Sequence, residues 1–441
     1  MHNTTNTQDT TQAILQDKII AIIGLGYVGL PLAIEFGKRY PTIGFDTNPL
    51  RIQELSNHTD SNHQTPSDAF AKAHLLHFSN DPASLGQANI YIIAVPTPID
   101  TYKTPDISAL LAASKMVGEV LKQGDIIIYE STTYPTCTEN DCLPILQKYS
   151  KLRYNQDFFI GYSPERINPG DRKNTLTNII KITAGSTQEA AKTINALYAS
   201  IIPAGTYLAP SIKVAEAAKA IENAQRDLNI AFMNELALIF ERLQIDTHEV
   251  IKAASTKWNF LHFTPGLVGG HCIGVDPYYL THIATSLGYH PKVIAAGRYI
   301  NDFMPDFIAQ KMIKLLAKKH ISALGAKILI LGVTFKENCP DIRNSKVAQV
   351  QRALMDFGCE VYVYDPIASK EAVLKEYGFE LLDPHSLQNP NQWEETQKYN
   401  ALLLAVGHAS FKTLKPAELL TQNSVIYDLK GFFDCKVDAR L

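Results

Sequence analysis

A chain of 441 residues, 46% apolar and 19% charged, has enough hydrophobic material for roughly three units of the usual domain size. Its formal charge of −3 argues against a general nucleic-acid-binding surface. Six cysteines at 137, 142, 272, 339, 359 and 435 form no CxxC pair and no metal-ligand spacing, so reduced thiols in the cytoplasm are expected, with neither disulfide nor metal site. Residues 1–17 open rich in Thr, Asn and Gln without a cationic segment, and read as a frayed tail. The apolar stretch 19–34 contains glycines and Pro31 and falls short of the ~20 residues a membrane helix needs.

Residues 18–23 read as a strand, followed by Gly24-Leu25-Gly26-Tyr27-Val28-Gly29 and a helical run from Leu32. This is a dinucleotide fingerprint in its required context of strand, glycine turn and helix. Gly24 allows the tight turn, Gly26 lets a pyrophosphate approach the backbone, and Gly29 packs helix on strand, while the helix N-terminus faces the anion. Asp46 closes a second strand, 43–46, and lies 22 positions after Gly24, where a ribose ligand is expected. Its carboxylate would repel a 2′-phosphate, which favours NAD over NADP, with Arg51 nearby as a cation able to soften that choice. A solvated turn residue is the alternative for Asp46.

Further along, 88–95 and 125–130 read as buried parallel strands with a helix over 110–121 between them. Pro96-Thr97 and Ser131-Thr132 follow the strand ends, where ligands of doubly wound sheets collect. Residues 211–242 form one long helical pattern, a domain connector along which a dimer would pack. From Lys327 strands and helices alternate again: strands at 328–332, 361–364, 401–406 and 425–429, a helix at 347–357, and a polar excursion at 381–398. The expected fold is α/β, two Rossmann-like doubly wound domains joined by the long central helix and a helical middle region. The expected boundaries are 18–210, 211–320 and 321–441. The last unit lacks GxGxxG, so its ligand should differ from that of the first.

Several residues point to chemistry. Cys272, after Gly269-Gly270-His271, has the setting of a nucleophile, because glycines let the backbone crowd against a substrate and Asp276 lies one turn on in a helical segment. A buried Cys acting as a small apolar residue is the alternative. On the central helix, Lys219 and Asn223 share a face at i, i+4 and together offer a charge and two N–H donors for an oxyanion. The alternative is an ordinary pair in which Glu216 or Glu222 neutralises Lys219. Glu165 reads either as a general base or as half of an ion pair with Arg166 or Arg172. His271 either orients groups near the thiol or is a satisfied structural imidazole.

Taken together, Gly24 to Pro31, Ser163-Pro164-Glu165, Lys219 with Asn223, Gly269-Gly270-His271-Cys272 and Phe335-Lys336 with Arg343 resemble the UDP-glucose/GDP-mannose dehydrogenase family over nearly the whole chain. The run from Cys272-Ile273-Gly274-Val275-Asp276 to Leu280, with Trp258-Asn259-Phe260 and Glu222 to Asp227, is similar to the branch that oxidises UDP-N-acetylglucosamine or UDP-N-acetylgalactosamine at carbon 6 for capsule and O-antigen synthesis. One position departs from the family pattern, Thr136, where relatives usually place Gly.

The resemblance implies a four-electron oxidation of the sugar alcohol to a carboxylate with two NAD molecules, through a thiohemiacetal and a thioester on Cys272. It implies oxyanion stabilisation by Lys219 and Asn223, base chemistry supported by Asp276, and Thr132 and Glu165 positioning water or relaying its proton. Gly24, Gly26, Tyr27, Val28, Gly29, Asp46, Arg51, Pro96, Thr97, Thr132 and Arg343 would line the NAD site. Glu165, Arg166, Lys219, Asn223, Gly269, Arg298 and Lys336 would line the substrate site, with Lys336 on the diphosphate. A homodimer or higher homo-oligomer is expected, with no nucleic-acid or membrane partner. Three rivals stand beside this reading: a hydroxy-acid dehydrogenase, which has no use for Cys272, an enzyme for plain UDP-glucose or UDP-N-acetylmannosamine, and a nucleotide-sugar-binding module without turnover.

Overall fold

The computed structural model describes residues 15, 17–62, 65–167, 175–270 and 273–441. Most of the expected tail, together with His271, Cys272 and Arg172, lies outside them. The chain divides into two compact units: one runs to Glu222 and adds Tyr278–Tyr289, and the other comprises Asn223–Pro277 and His290–Leu441.

In the first unit, β1 (Ile20–Ile23), β4 (Ile90–Ile93) and β5 (Ile126–Tyr129) are buried at every position, the pattern of parallel strands covered on both faces. β1 pairs in parallel with β2 (Thr42–Phe45) on one side and with β4 on the other. With β3 (Leu76–Ser79), β6 (Phe159–Tyr162), β7 (Lys181–Gly185) and β8 (Thr206–Leu208) the sheet order is β3-β2-β1-β4-β5-β6-β7-β8, antiparallel only between β6 and β7. Its first six strands have the Rossmann order, whose ligand crevice opens at the carboxyl ends of β1 and β4. The helices are α1 (Gly29–Gly37), α2 (Pro49–Ser56), α3 (Ser67–Lys72), α4 (Ser108–Gly118), α5 (Leu143–Ser150) and α6 (Gln188–Ala199). Leu30, Ala33, Ile34 and Phe36 of α1 pack into the core with Ile20, Ile22, Ile90 and Ile92.

The central helix α7 spans Ile212–Leu243, as its unbroken Ala, Leu and Glu-rich pattern predicts, and the division between the units falls within it. α8 (Thr247–Ala254), α9 (Asp276–Ser286) and α10 (Lys292–Lys318) follow. The second unit carries a fully parallel sheet, β10-β9-β11-β12-β13, built from β9 (Lys327–Leu331), β10 (Glu360–Tyr364), β11 (Tyr399–Leu404), β12 (Leu420–Asp428) and β13 (Ala439–Arg440). One face buries Ile328 and Ile330 with Ile308 and Met312 of α10, and the other buries Leu329 and Leu331 with Phe411 and Leu419. α11 (Val347–Asp356), α12 (Lys370–Tyr377) and α13 (Pro416–Leu419) complete it. The α/β class and the paired Rossmann-like sheets match the expectation.

One reading needs correction. The stretch 381–398 is no simple surface excursion, because Leu382, Leu387 and Trp393 pack against the second core and Trp393 meets Tyr399 edge-on. No helix among the described residues is long and apolar enough to cross a membrane.

Candidate active site

The glycine loop leaves β1 with Gly24 at φ +93°, where a Cβ would lie 2.8 Å from the Ala94 carbonyl oxygen, so only glycine fits the turn. A Cβ on Gly29 would collide with the Gly24 carbonyl, which keeps α1 tight against the strand. At Gly26 nothing lies within 4 Å, and α1 has no side-chain N-cap. An open backbone approach at a helix N-terminus without a side-chain cap suits a pyrophosphate, so the residues present fit a dinucleotide. Asp46, at the end of β2, accepts the Leu25 N–H at 2.9 Å through Oδ2 and the Asn48 N–H at 2.9 Å through Oδ1.

Arg51 does something the sequence did not predict. Its Nε and Nη2 donate to the Leu25 carbonyl at 3.1 and 3.0 Å, while the guanidinium pairs with Glu54 at 2.9 Å and with Asp60 at 2.9 Å. It therefore clamps the glycine loop, and its charge is engaged by carboxylates rather than held ready for a 2′-phosphate.

The loops after β4 and β5 are laced together at the same sheet edge. Thr97 donates its hydroxyl to the Thr132 carbonyl at 2.7 Å, Ser131 donates to the Val95 carbonyl at 2.6 Å, and Tyr279 donates to the Thr97 carbonyl. Pro96 stands exposed beside them. Glu165, after β6, is 7% exposed. Its Oε1 accepts the backbone N–H groups of Arg166 and Ile167 at 2.5 and 2.6 Å, and its Oε2 faces Lys181 at 3.4 Å. Of the two ion-pair alternatives for Glu165, the one with Arg166 does not occur, because that guanidinium turns to Glu222 at 2.8 Å and to the Ile180 carbonyl, and Arg172 lies outside the described residues.

Lys219, on α7, is 7% exposed, and neither expected carboxylate neutralises it. Glu216 is turned toward Thr133, Thr136 and Thr138, and Glu222 is taken by Arg166. An ammonium buried without a carboxylate partner among the described residues is equipment for a developing oxyanion.

In the second unit, Asn223 donates to Asp276 Oδ2 at 2.5 Å, and Asp276 is 1% exposed. Asp276 opens α9 rather than lying a turn inside a helix, since 273–275 form turns. The glycines before Cys272 also have a reason different from the one expected. A Cβ on Gly269 would sit 2.8 Å from the Asn344 carbonyl, and one on Gly270, at φ +79°, would sit 2.9 Å from the Phe335 ring. Protein packing therefore demands them. The Gly270 N–H also donates to the Arg343 carbonyl at 3.1 Å, so the glycines are seated on the 335–344 loop.

On that loop Lys336 is half-buried with no ion-pair partner among the described residues. Arg343 is held by Asp341, Nη2 to Oδ2 at 2.5 Å. Arg298 is 3% exposed, with its guanidinium committed to Asp227 and Asp302 at 2.6 Å each. It serves the packing of α10 on α7, and the structure gives it no face toward a ligand within this unit.

The second unit repeats the strand-end logic of the first but closes it. Gly332 at φ +87° follows β9, and Asp365 accepts the Val333 N–H at 2.7 Å, the counterparts of Gly24 and Asp46. Here, however, His408 Nε2 lies 3.0 Å from Asp365, and the carboxylate is buried. An acid engaged in this way is not available to a ribose, in keeping with a different ligand.

Sequence reasoning missed Glu130, Lys181 and Tyr198, and considered Glu216 only as a partner for Lys219 rather than for the 133–138 loop. Only two signals pointed to them, a Glu directly before Ser131-Thr132 and a Lys opening an apolar strand, and both are common in other contexts.

The glycine turn at the Rossmann switch point of the first unit suits a dinucleotide, and comparison with known proteins identifies the class as NAD-dependent nucleotide-sugar dehydrogenases. Three models of the UDP-glucose/GDP-mannose dehydrogenase family match: the NAD binding domain over 18–202, the central domain over 213–303 and the UDP binding domain over 329–435. The chain belongs to this family. It is similar to the UDP-N-acetyl-D-glucosamine 6-dehydrogenase of Salmonella typhi, 53% identical over 93% of this chain and 95% of that protein. It is also similar to the protein of that name from Pseudomonas aeruginosa, 51% identical over 97% and 100%. Among solved structures, a UDP-D-ManNAc dehydrogenase from Pyrococcus horikoshii superposes with a TM-score of 0.85 at 29% identity, covering 96% of this chain and 98% of that one. The cofactor is NAD.

Proposed function

We propose that the protein oxidises the carbon-6 hydroxyl of UDP-N-acetylglucosamine to the uronic acid, supplying an activated sugar acid for surface polysaccharide synthesis. The observation that carries this reading is the 53% identity, along nearly the full chain, to a relative named for that activity. The balance is one alcohol, two NAD⁺ and one water giving one carboxylate, two NADH and three protons. NAD, when bound, accepts a hydride from carbon 6 at each of the two oxidations. Gly24, Gly26, Tyr27, Val28 and Gly29 would hold its pyrophosphate and Asp46 its ribose, with Pro96, Thr97 and Thr132 along the crevice.

In this mechanism Lys219 and Asn223 stabilise the oxygen on carbon 6 as the aldehyde forms. The Cys272 thiolate adds to the aldehyde carbon, and loss of hydride from the resulting thiohemiacetal leaves a thioester. Water then attacks the thioester, the C–S bond breaks, and the thiolate is restored. Glu165 accepts a proton of that water, which Thr132 helps to place. The short bond to Asn223 holds Asp276 ready to support the base chemistry. Lys336 and Arg166 would line the substrate, with the Lys336 ammonium on its diphosphate.

The same reading places the enzyme in the cytoplasm as a homodimer, supported by free thiols at five cysteines and by exposed Phe232 and Ile239 on α7. The test is a panel of UDP-glucose, UDP-N-acetylglucosamine, UDP-N-acetylgalactosamine and UDP-N-acetylmannosamine, with NADH followed to completion. Two NADH per UDP-N-acetylglucosamine and the highest kcat/KM for that sugar are expected. One NADH per sugar would rule out the full oxidation.

A further inference from the structure

Behind Glu165 lies a buried charge cluster that the mechanism above does not use. Lys181, on β7, is 2% exposed and sits between two carboxylates, 2.7 Å from Glu130 and 3.4 Å from Glu165. Glu130, just past β5, is fully buried, and its other oxygen accepts the hydroxyl of Tyr198 on α6, itself fully buried. The Lys181 ammonium also lies 5.5 Å from the centre of the Tyr198 ring. The groups facing the cluster are Glu130 from β5, Glu165 from beyond β6, Lys181 from β7 and Tyr198 from α6. Arg166, the nearest other cation in sequence, is turned away to Glu222.

One cation against two carboxylates leaves the cluster one negative charge in excess. Taking such a charge out of water is costly, and the usual relief is to share a proton between the acids. Burial pushes the Glu130 carboxyl up to about 7 against the attraction of Lys181, with the Glu165 charge adding to the rise. Burial alone would discharge Lys181, but Glu130 and Glu165 outweigh it and hold its pKa above the ordinary lysine value. The proton that relieves the excess charge therefore belongs to the carboxylates, and Lys181 keeps its charge between them.

We propose that Lys181 and Glu130 are positioning residues for Glu165, holding its carboxylate toward the reacting water and sharing the proton it receives. This inference rests on the assignment of Glu165 to the hydrolytic step. When Glu165 takes a proton from the water that attacks the thioester, the cluster becomes neutral with Lys181 still charged. Glu130 is the second site on which that proton can reside, across the Lys181 ammonium. Its chain position ties it to the chemistry as well, since Ser131 and Thr132 follow it directly.

The test is the pH profile of carboxylate release in single turnovers, from pH 5 to 9, with hydride transfer recorded separately. Lys181→Met leaves two carboxylates facing each other with no cation, so the acid limb should move up by about one pH unit or more. Glu130→Gln removes the competing acid, so the limb should move down. Tyr198→Phe deletes only the hydroxyl that favours ionised Glu130 and should shift the limb in the same direction as Glu130→Gln. Lys181→Arg, which keeps the cation, should restore the wild-type limb. Opposite shifts from Lys181→Met and Glu130→Gln support the inference. Variants that lower the rate uniformly and leave the limb in place overturn it, and Glu130→Gln with Tyr198→Phe decide the matter even where Lys181→Met does not fold. Glu165→Gln separates the two levels of the argument: if it leaves carboxylate release and its limb unchanged, the role given to Glu165 itself fails.

Discussion

The N–H of Thr136 donates to the Glu216 carboxylate at 2.6 Å, and Thr136 holds its backbone at φ +88°. The same carboxylate accepts the Thr138 N–H at 2.9 Å and the Thr133 hydroxyl at 3.4 Å. One acidic side chain of α7, three residues before Lys219, thus fixes the loop that begins with Thr132. A β-branched residue at positive φ is strained, and the bond to a buried carboxylate is what offsets the strain. Glycine would adopt this conformation without strain, and this chain holds a threonine there by the bond to Glu216.

Thr136→Gly should therefore stabilise the protein. Relief of the left-handed conformation contributes about 1–2 kcal/mol, and the entropy of a new glycine takes back about 0.5–1 kcal/mol. A rise in Tm of about 2 °C is expected by calorimetry with turnover preserved. A fall in Tm would mean that the threonine methyl or hydroxyl contributes more packing than the conformation costs.

Glu130 makes a pH-dependent contribution to stability whose sign follows from its burial. Its carboxyl titrates at about 7 in the folded protein against an ordinary value of 4.5. The folded state thus binds the proton more tightly than the unfolded chain does. The contribution is fully present below pH 4.5 and is lost as pH rises through 7, a change on the order of 3 kcal/mol. Chemical denaturation at pH 4.5 and 8 should show wild type losing more stability than Glu130→Gln over that interval. Parallel losses in the two proteins would remove Glu130 as the source.

Asp46 and Arg51 should separate cofactor choice from loop stiffness. Asp46→Ala loses the Leu25 N–H acceptor together with the ribose contact proposed for it, and kcat/KM for NAD is expected to fall by roughly tenfold or more while the disadvantage of NADP shrinks. Arg51→Lys cannot reproduce the paired bonds to the Leu25 carbonyl. It should raise KM for NAD and leave KM for the sugar nucleotide unchanged, as steady-state kinetics with each substrate varied would show.

Cys272→Ala should abolish carboxylate formation while NAD affinity, measured by fluorescence titration, stays near wild type, because the dinucleotide cradle lies in the glycine loop. Cys272→Ser is expected to accumulate an ester to the sugar, visible as added mass on the intact protein. Acid production at the wild-type rate by Cys272→Ala would overturn covalent catalysis.

Local pattern was sufficient to determine the strands of the first sheet and the glycine turn that leaves it. The runs at 20–23, 90–93 and 126–129 are buried strands by composition alone, and Gly24, Gly26, Gly29 and Asp46 mark a nucleotide turn because each is needed for a backbone or ribose constraint set within some twenty residues. Only the tertiary structure decided how charges are used, because ion pairing depends on which side chains converge from distant segments. Arg51 reads as a free cation until Asp60 and the Leu25 carbonyl claim it, and Arg166 reads as the partner of Glu165 until Glu222 takes it. Gly269 and Gly270 look like room for a substrate until Phe335 and Asn344 fill that room. Lys181 reads as the end of an ordinary strand, and its meaning comes from Glu130, 51 positions earlier, brought within 2.7 Å by strand order that no local pattern encodes.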